Sequence, residues 1–367
     1  MNRIAVLGAG TMGSRIAALF AAAEIPVLLL DLDEELARLG ILRAEAGPLV
    51  TPGSFSRDLP LLRGCDWIVE AVAEDLAVKR ALWAQAAAHR APHALASTNT
   101  SGISLAAIGE GLPLEFRAHF LGVHFFNPPS KLHLVELIRG RDTLPSAAAQ
   151  AARFVTGRLG KGVVEAKDTP NFIANRIGAF FSGTVMALTA EGNYTIEEAD
   201  LLTGPLIGLP TTASYRLLDV IGLDVWAHVL RNLEGTEPCF TPPGFFREML
   251  SRGLLGNKSG SGFYKKIVSG ETKIFHTLDL NTFHYRPAII PLNPASEIEN
   301  LPNRIASILQ SGGRAAQFLH PLLTATIRYC HRMAPEIADR PEDLDRAMRW
   351  GYGWTLGPFE LERAIPL

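Results

Sequence analysis

Residues 3–31, RIAVLGAGTMGSRIAALFAAAEIPVLLLD, set the architecture. A short apolar run of β-formers leads into Gly8, Gly10 and Gly13, and the alanine- and leucine-rich stretch that follows favours helix. A second apolar run then ends in Asp31. Strand, glycine turn, helix and strand make one unit of a parallel sheet. The glycines divide the physical work, with Gly8 making the tight turn, Gly10 allowing close backbone approach to a pyrophosphate and Gly13 packing helix on strand. The helix-start amides at Thr11 and Met12 would hold the phosphates. Asp31 follows Gly13 by 18 residues, near the roughly 20 expected of the carboxylate that binds the adenosine ribose. Its charge, and the acids of DLDEELAR, would repel a 2′-phosphate, so the expected cofactor is NAD rather than NADP.

The composition of the 367 residues is that of a globular protein whose partners are small molecules or proteins. That length suggests two or three domains. A net charge of −2 with 20% charged residues gives no footprint for nucleic acid. Cys65, Cys239 and Cys330 are far apart, so no metal cluster or disulfide framework is indicated, and a reducing cytoplasm is expected. No apolar run approaches the roughly 20 residues needed to cross a bilayer, and the glycines near the N-terminus interrupt what would be a signal peptide.

Further strand–helix units follow in CDWIVEAV, EDLAVKRALWAQAAAHR and HALASTNTSG. Ligands of such sheets sit beyond the carboxyl ends of the strands, which is where Glu70, Asn99, Thr100 and Ser101 fall. In GVHFFNPPSKLHLVEL, residues 122–137, two apolar runs flank the turn residues Asn127, Pro128 and Pro129. His124 and Glu136 then face each other across a hairpin-like reversal. A carboxylate on one imidazole nitrogen fixes the tautomer and stabilises the imidazolium, leaving the other nitrogen to take a proton. His119 and His133 read as structural.

Six motifs in order, GAGTMGSRIA, VEAVAEDLAVK, STNTS, HFFNPP with LVEL, DTPNFIANRI and GNKSGSGFYKK, make the chain resemble the 3-hydroxyacyl-CoA dehydrogenases of fatty acid β-oxidation over roughly residues 1 to 266. The resemblance implies reversible, NAD-dependent oxidation of a 3-hydroxyacyl-CoA to a 3-ketoacyl-CoA. It makes His124 the general base oriented by Glu136, with Ser101 on the substrate's 3-oxygen and Asn175 placing substrate and base. It sets Glu70, Lys79 and Asn99 near the nicotinamide. An acyl-CoA thioester is the implied partner, with a hydratase or thiolase as further candidates.

After DTPNF the pattern turns helical, with Thr195 and Glu198 spaced as a capping box. The expected layout is a Rossmann-type NAD-binding domain at 1–166, a helical domain at 167–266, a proline-bearing linker at 267–303, and a second, degenerate copy of the helical domain at 304–367. The copy is read from EDLDRAMRWGYGWTLGPFELERAI, which echoes EEADLLTGPLIGLPTTASYRLLDVIGL. It would leave a pseudo-symmetric monomer in place of the homodimer formed by single-copy members. The layout is similar to the dehydrogenase part of multifunctional β-oxidation proteins, without a hydratase-like segment.

Three departures stand out. Gly102 occupies the place of a frequent second serine, and Asn171 that of a common glycine. The segment between Asp31 and Cys65 is short and lacks the lysines with which the family contacts CoA, leaving Arg38, Arg43 and Arg57 as substitutes. Two rival readings are a dehydrogenase of free hydroxy acids on the same fold and a non-catalytic NAD-binding structural protein.

Overall fold

Eight strands form one sheet: β1 Ile4–Leu7, β2 Val27–Asp31, β3 Val50–Ser54, β4 Trp67–Glu70, β5 Leu95–Thr98, β6 Phe120–Phe125, β7 Leu134–Arg139 and β8 Gly162–Ala166. Their spatial order is β3-β2-β1-β4-β5-β6-β7-β8. Every neighbouring pair is parallel except β6 with β7. The computed structural model describes residues 1–269, 272–293, 295 and 297–365. They divide into two units, Met1–Ile173 with Glu336–Gly351, and Ala174–Pro335 with Tyr352–Leu367.

In the first unit β1, β4, β5 and β6 are buried along their whole length. A strand buried on both faces reads as a continuous apolar run, which is why these were visible in sequence. The rings of Phe20, Trp67, Phe125 and Phe154 meet at 5.6–6.2 Å beneath the glycine helix Thr11–Ala22. β3, VTPGS, lies at the sheet's edge, where a proline without an N–H is tolerated.

The second unit begins with the helix Ala174–Glu191. The capping box is present: Thr195 and Glu198 bond each other's backbone amides at the start of Ile196–Leu202. Residues 267–303 differ from the expected linker. β9 Tyr264–Ser269, β10 Thr272–Leu278 and β11 Tyr285–Pro287 form an antiparallel sheet in the order β11-β10-β9. The boundary between units falls at residues 173 and 174 rather than 166 and 167, and residues 336–351 of the expected second copy belong to the first unit. There the helix Glu342–Tyr352 lays Trp350 edge-on against His133, at 5.0 Å, and over Gly162 at the start of β8. Among the described residues, no helix is long and apolar enough to cross a membrane.

Candidate active site

Because β1, β2, β4, β5 and β6 run parallel, their carboxyl ends share one edge of the sheet. The chain winds from β1 outward to β3 and then returns to β4 on the other side of β1, so the crevice between β1 and β4 is the switch point where such sheets bind ligands. Gly8 leaves β1 at φ +102°, and a Cβ there would sit 2.7 Å from the Ala71 carbonyl oxygen just past β4. A Cβ at Gly13 would collide with the Gly8 carbonyl, whereas one at Gly10 would meet nothing within 4 Å. That open approach, beside the amides of Thr11 and Met12, fits a pyrophosphate. Asp31 closes β2 next to the loop, accepting from the Ala9 amide at 2.5 Å and from Leu32 at 2.7 Å.

A buried polar network lines the ends of β4 and β5. Glu70 is fully buried and accepts from Lys79 Nζ at 2.7 Å, from Thr98 Oγ1 at 2.7 Å and from the Val72 amide at 2.9 Å. Lys79, only 1% exposed, also reaches Glu74 at 3.2 Å. Glu74 in turn accepts from the Thr100 hydroxyl at 2.5 Å and the Ser101 amide at 2.8 Å. Burial would raise the Glu74 carboxyl, but Lys79, Thr100 and Ser101 outweigh it and hold it below the usual carboxylate range. Sequence reading did not single out Glu74. It lies inside VEAVAEDLAVK, but next to Asp75, the helix cap of Leu76–Ala86, it reads as one more acid at a helix start.

Asn99 ties β5 to β6 by accepting from the Phe125 amide at 2.8 Å, one residue past His124. In the antiparallel β6–β7 pair, His124 lies directly opposite Glu136. Their side chains bond, Nδ1 to Oε2, at 2.8 Å, and both residues are buried. Glu136 Oε1 takes the Ile173 amide at 3.1 Å. The rings of Phe126 and Phe172 stand 4.4 and 5.8 Å from the imidazole. One carboxylate oxygen therefore fixes the ring and the other is tied to the backbone, among apolar neighbours.

The segment that covers the dyad is left-handed twice, at Asn171 (φ +61°) and Phe172 (φ +52°). Asparagine is the side chain that tolerates this region best after glycine, which accounts for Asn171 at a glycine-like position. Asp168 anchors the same segment, accepting from Ser104 Oγ at 2.9 Å and the Leu105 amide at 2.8 Å. Asp168 opens the motif DTPNFIANRI, but its partners Ser104 and Leu105 lie 64 and 63 positions away, so its anchoring role is not legible locally. In the second unit, Asn175 lies at the start of Ala174–Glu191 and accepts from the Tyr352 hydroxyl at 3.1 Å. Among the arginines offered as CoA contacts, Arg38 and Arg57 are paired with Glu34, and Arg57 also with Asp58. Arg43 bonds the carbonyls of Leu39 and Ala9.

Residues 3–169 match the family profile described as 3-hydroxyacyl-CoA dehydrogenase, NAD binding domain, and residues 172–266 match its C-terminal domain. This chain belongs to the 3-hydroxyacyl-CoA dehydrogenase family. A probable 3-hydroxyacyl-CoA dehydrogenase of Bacillus subtilis is 40% identical across all of this chain and 51% of its own length. A similarly described protein of Deinococcus radiodurans is 41% identical over 72% of this chain and 83% of its own length. The chain thus spans about half the length of the Bacillus relative. The crystal structure of a 3-hydroxybutyryl-CoA dehydrogenase from Escherichia coli shares the fold over 97% of this chain and 90% of that one, with a TM-score of 0.75 at 24% identity. NAD is the cofactor of the family's first domain, and the open glycine loop and Asp31 suit it.

Proposed function

We propose that this chain catalyses the reversible, NAD-dependent oxidation of 3-hydroxyacyl-CoA to 3-ketoacyl-CoA in fatty acid β-oxidation. The observation that carries the reading is the buried His124–Glu136 pair at the end of β6, with Nδ1 committed to the carboxylate and Nε2 left for a substrate proton. Bound NAD supplies the hydride acceptor. His124 takes the hydroxyl proton, and Glu136 stabilises the imidazolium that results. Ser101, with its amide held by Glu74, donates its hydroxyl to the substrate's 3-oxygen. Asn175 donates to the same substrate. Gly8, Gly10, Thr11, Met12, Gly13 and Asp31 hold the adenosine and pyrophosphate, and Glu70, Lys79 and Asn99 build the wall beside the nicotinamide.

The same reading extends to context. Rickettsial relatives are described as putative fatty acid oxidation complex trifunctional enzymes, which supports a hydratase or thiolase as partner; the cytoplasmic setting rests on the free, widely spaced cysteines. We also propose that residues 304–367 are a degenerate second copy of the helical domain, leaving a pseudo-symmetric monomer.

Initial rates of NADH oxidation with acetoacetyl-CoA and with free acetoacetate test the substrate class. Turnover of the thioester alone is expected. A preference for the free acid would move the reading to a hydroxy-acid dehydrogenase, and NADH binding without turnover of either would leave a non-catalytic protein.

A further inference from the structure

The start of the helix Ala174–Glu191 is held by side chains that lie beyond residue 266, where the family match ends. Tyr352 donates its hydroxyl to Asn175 Oδ1 at 3.1 Å. Arg176, itself buried, donates to the Tyr329 hydroxyl at 3.2 Å and points Nη2 at Met333 Sδ, also at 3.2 Å. One turn on, the ring of Phe180 stacks on Tyr329 at 4.0 Å and 9°, and Phe181 meets Trp354 at 5.1 Å. Gly178 makes room for the tyrosine, because a Cβ there would lie 2.6 Å from the Tyr352 hydroxyl oxygen. Tyr329, Met333, Tyr352 and Trp354 thus fix the first two turns of one helix.

The Tyr352 contact differs in kind from the others. A side-chain amide has an accepting end and a donating end, and which one faces a ligand depends on what the opposite end bonds. A hydroxyl hydrogen directed at Oδ1 sets the amide with Nδ2 turned away from the tyrosine. We infer that Tyr352 is a positioning residue: it fixes the orientation of the Asn175 amide so that the NH₂ group is presented as a donor to an oxygen of the 3-ketoacyl thioester. The region beyond the matched domains then takes part in turnover through a single hydroxyl. This rests on the reading of Asn175 given above.

The test is steady-state reduction of acetoacetyl-CoA by NADH with the full chain, in the wild type, Tyr352→Phe, Asn175→Ala and the double variant, with melting temperatures measured alongside. Losing one neutral hydrogen bond predicts a fall in kcat of about 3- to 10-fold in Tyr352→Phe, with the KM for NADH unchanged. The double variant turns over no more slowly than Asn175→Ala, since the tyrosine acts only through the asparagine. Gly178→Ala, whose methyl displaces the hydroxyl, reproduces the Tyr352→Phe loss and adds nothing to Asn175→Ala. This second route keeps the test decisive if Tyr352→Phe folds poorly. Wild-type turnover in Tyr352→Phe beside a slow Asn175→Ala overturns the positioning role while leaving the Asn175 assignment intact. Equal fold-losses with and without Asn175 place the effect of Tyr352 elsewhere and also overturn it. Wild-type turnover in Asn175→Ala removes the assignment on which it rests.

Discussion

Two sets of carboxylates, one in each unit, are held in different ways. In the first, Glu70 and Glu74 share the Lys79 ammonium and Glu136 holds an imidazole. In the second, Asp200 and Asp219 are held by backbone amides, with the Tyr264 hydroxyl added at Asp200, and neither forms an ion pair among the described residues. Desolvation consequently pushes Asp200 up to about 7, against the amides of Tyr215, Arg216 and Ser214 and the Tyr264 hydroxyl, and pushes Asp219 up to about 6. Asp200 keeps some residue surface, but its carboxyl is enclosed by those three amides and that hydroxyl. Asp200 and Asp219 thus serve as staples, Asp200 at the start of the helix Tyr215–Ile221 and Asp219 on β9, while Glu197 of the same unit keeps an ion pair with Arg286.

The largest test of this contrast is Lys79→Met. It strands Glu70 as a fully buried carboxylate without its cation, which costs about 3–5 kcal/mol of stability. Adding Glu70→Gln should recover part of that loss in chemical denaturation. A loss under about 1 kcal/mol would mean that the network is not the charged brace described here.

Asp200 gives the next largest effect. A carboxyl whose folded pKa is raised contributes stability that is complete below its unfolded value, ordinarily 3.8, and is lost as pH rises towards about 7. Wild-type stability should therefore decline relative to Asp200→Asn between about pH 4 and 7, by at most roughly 1.4 kcal/mol for each pH unit crossed, and run parallel to it above that range. Urea denaturation across pH measures this, and parallel curves throughout would show that the carboxyl is not perturbed. A smaller effect is expected beside the dyad. Asn171→Leu should be about 1–2 kcal/mol less stable than Asn171→Gly, because a branched side chain is strained on the left-handed backbone.

Much of the first unit was legible because its chemistry is local. The glycine spacing, Asp31 at a strand end, and the two apolar runs around Asn127–Pro129 each carry their meaning within a few residues. What sequence reading missed was non-local or disguised. β3 hides behind Pro52 and Gly53, which are permitted only because it is an edge strand. β9 and β10 sit beside a proline-bearing stretch, whose composition outweighed their β character. Glu74 and Asp168 act on residues 27 and 63 positions away, at Ser101 and Leu105.

Most depends on whether the His124–Glu136 pair moves the substrate proton. That is decided by kcat for NADH-dependent reduction of acetoacetyl-CoA in His124→Ala, with NADH affinity measured by fluorescence titration on the same protein. The expected result is a fall in kcat of about 10²- to 10⁴-fold with NADH binding nearly unchanged. Turnover close to that of the parent chain would contradict it.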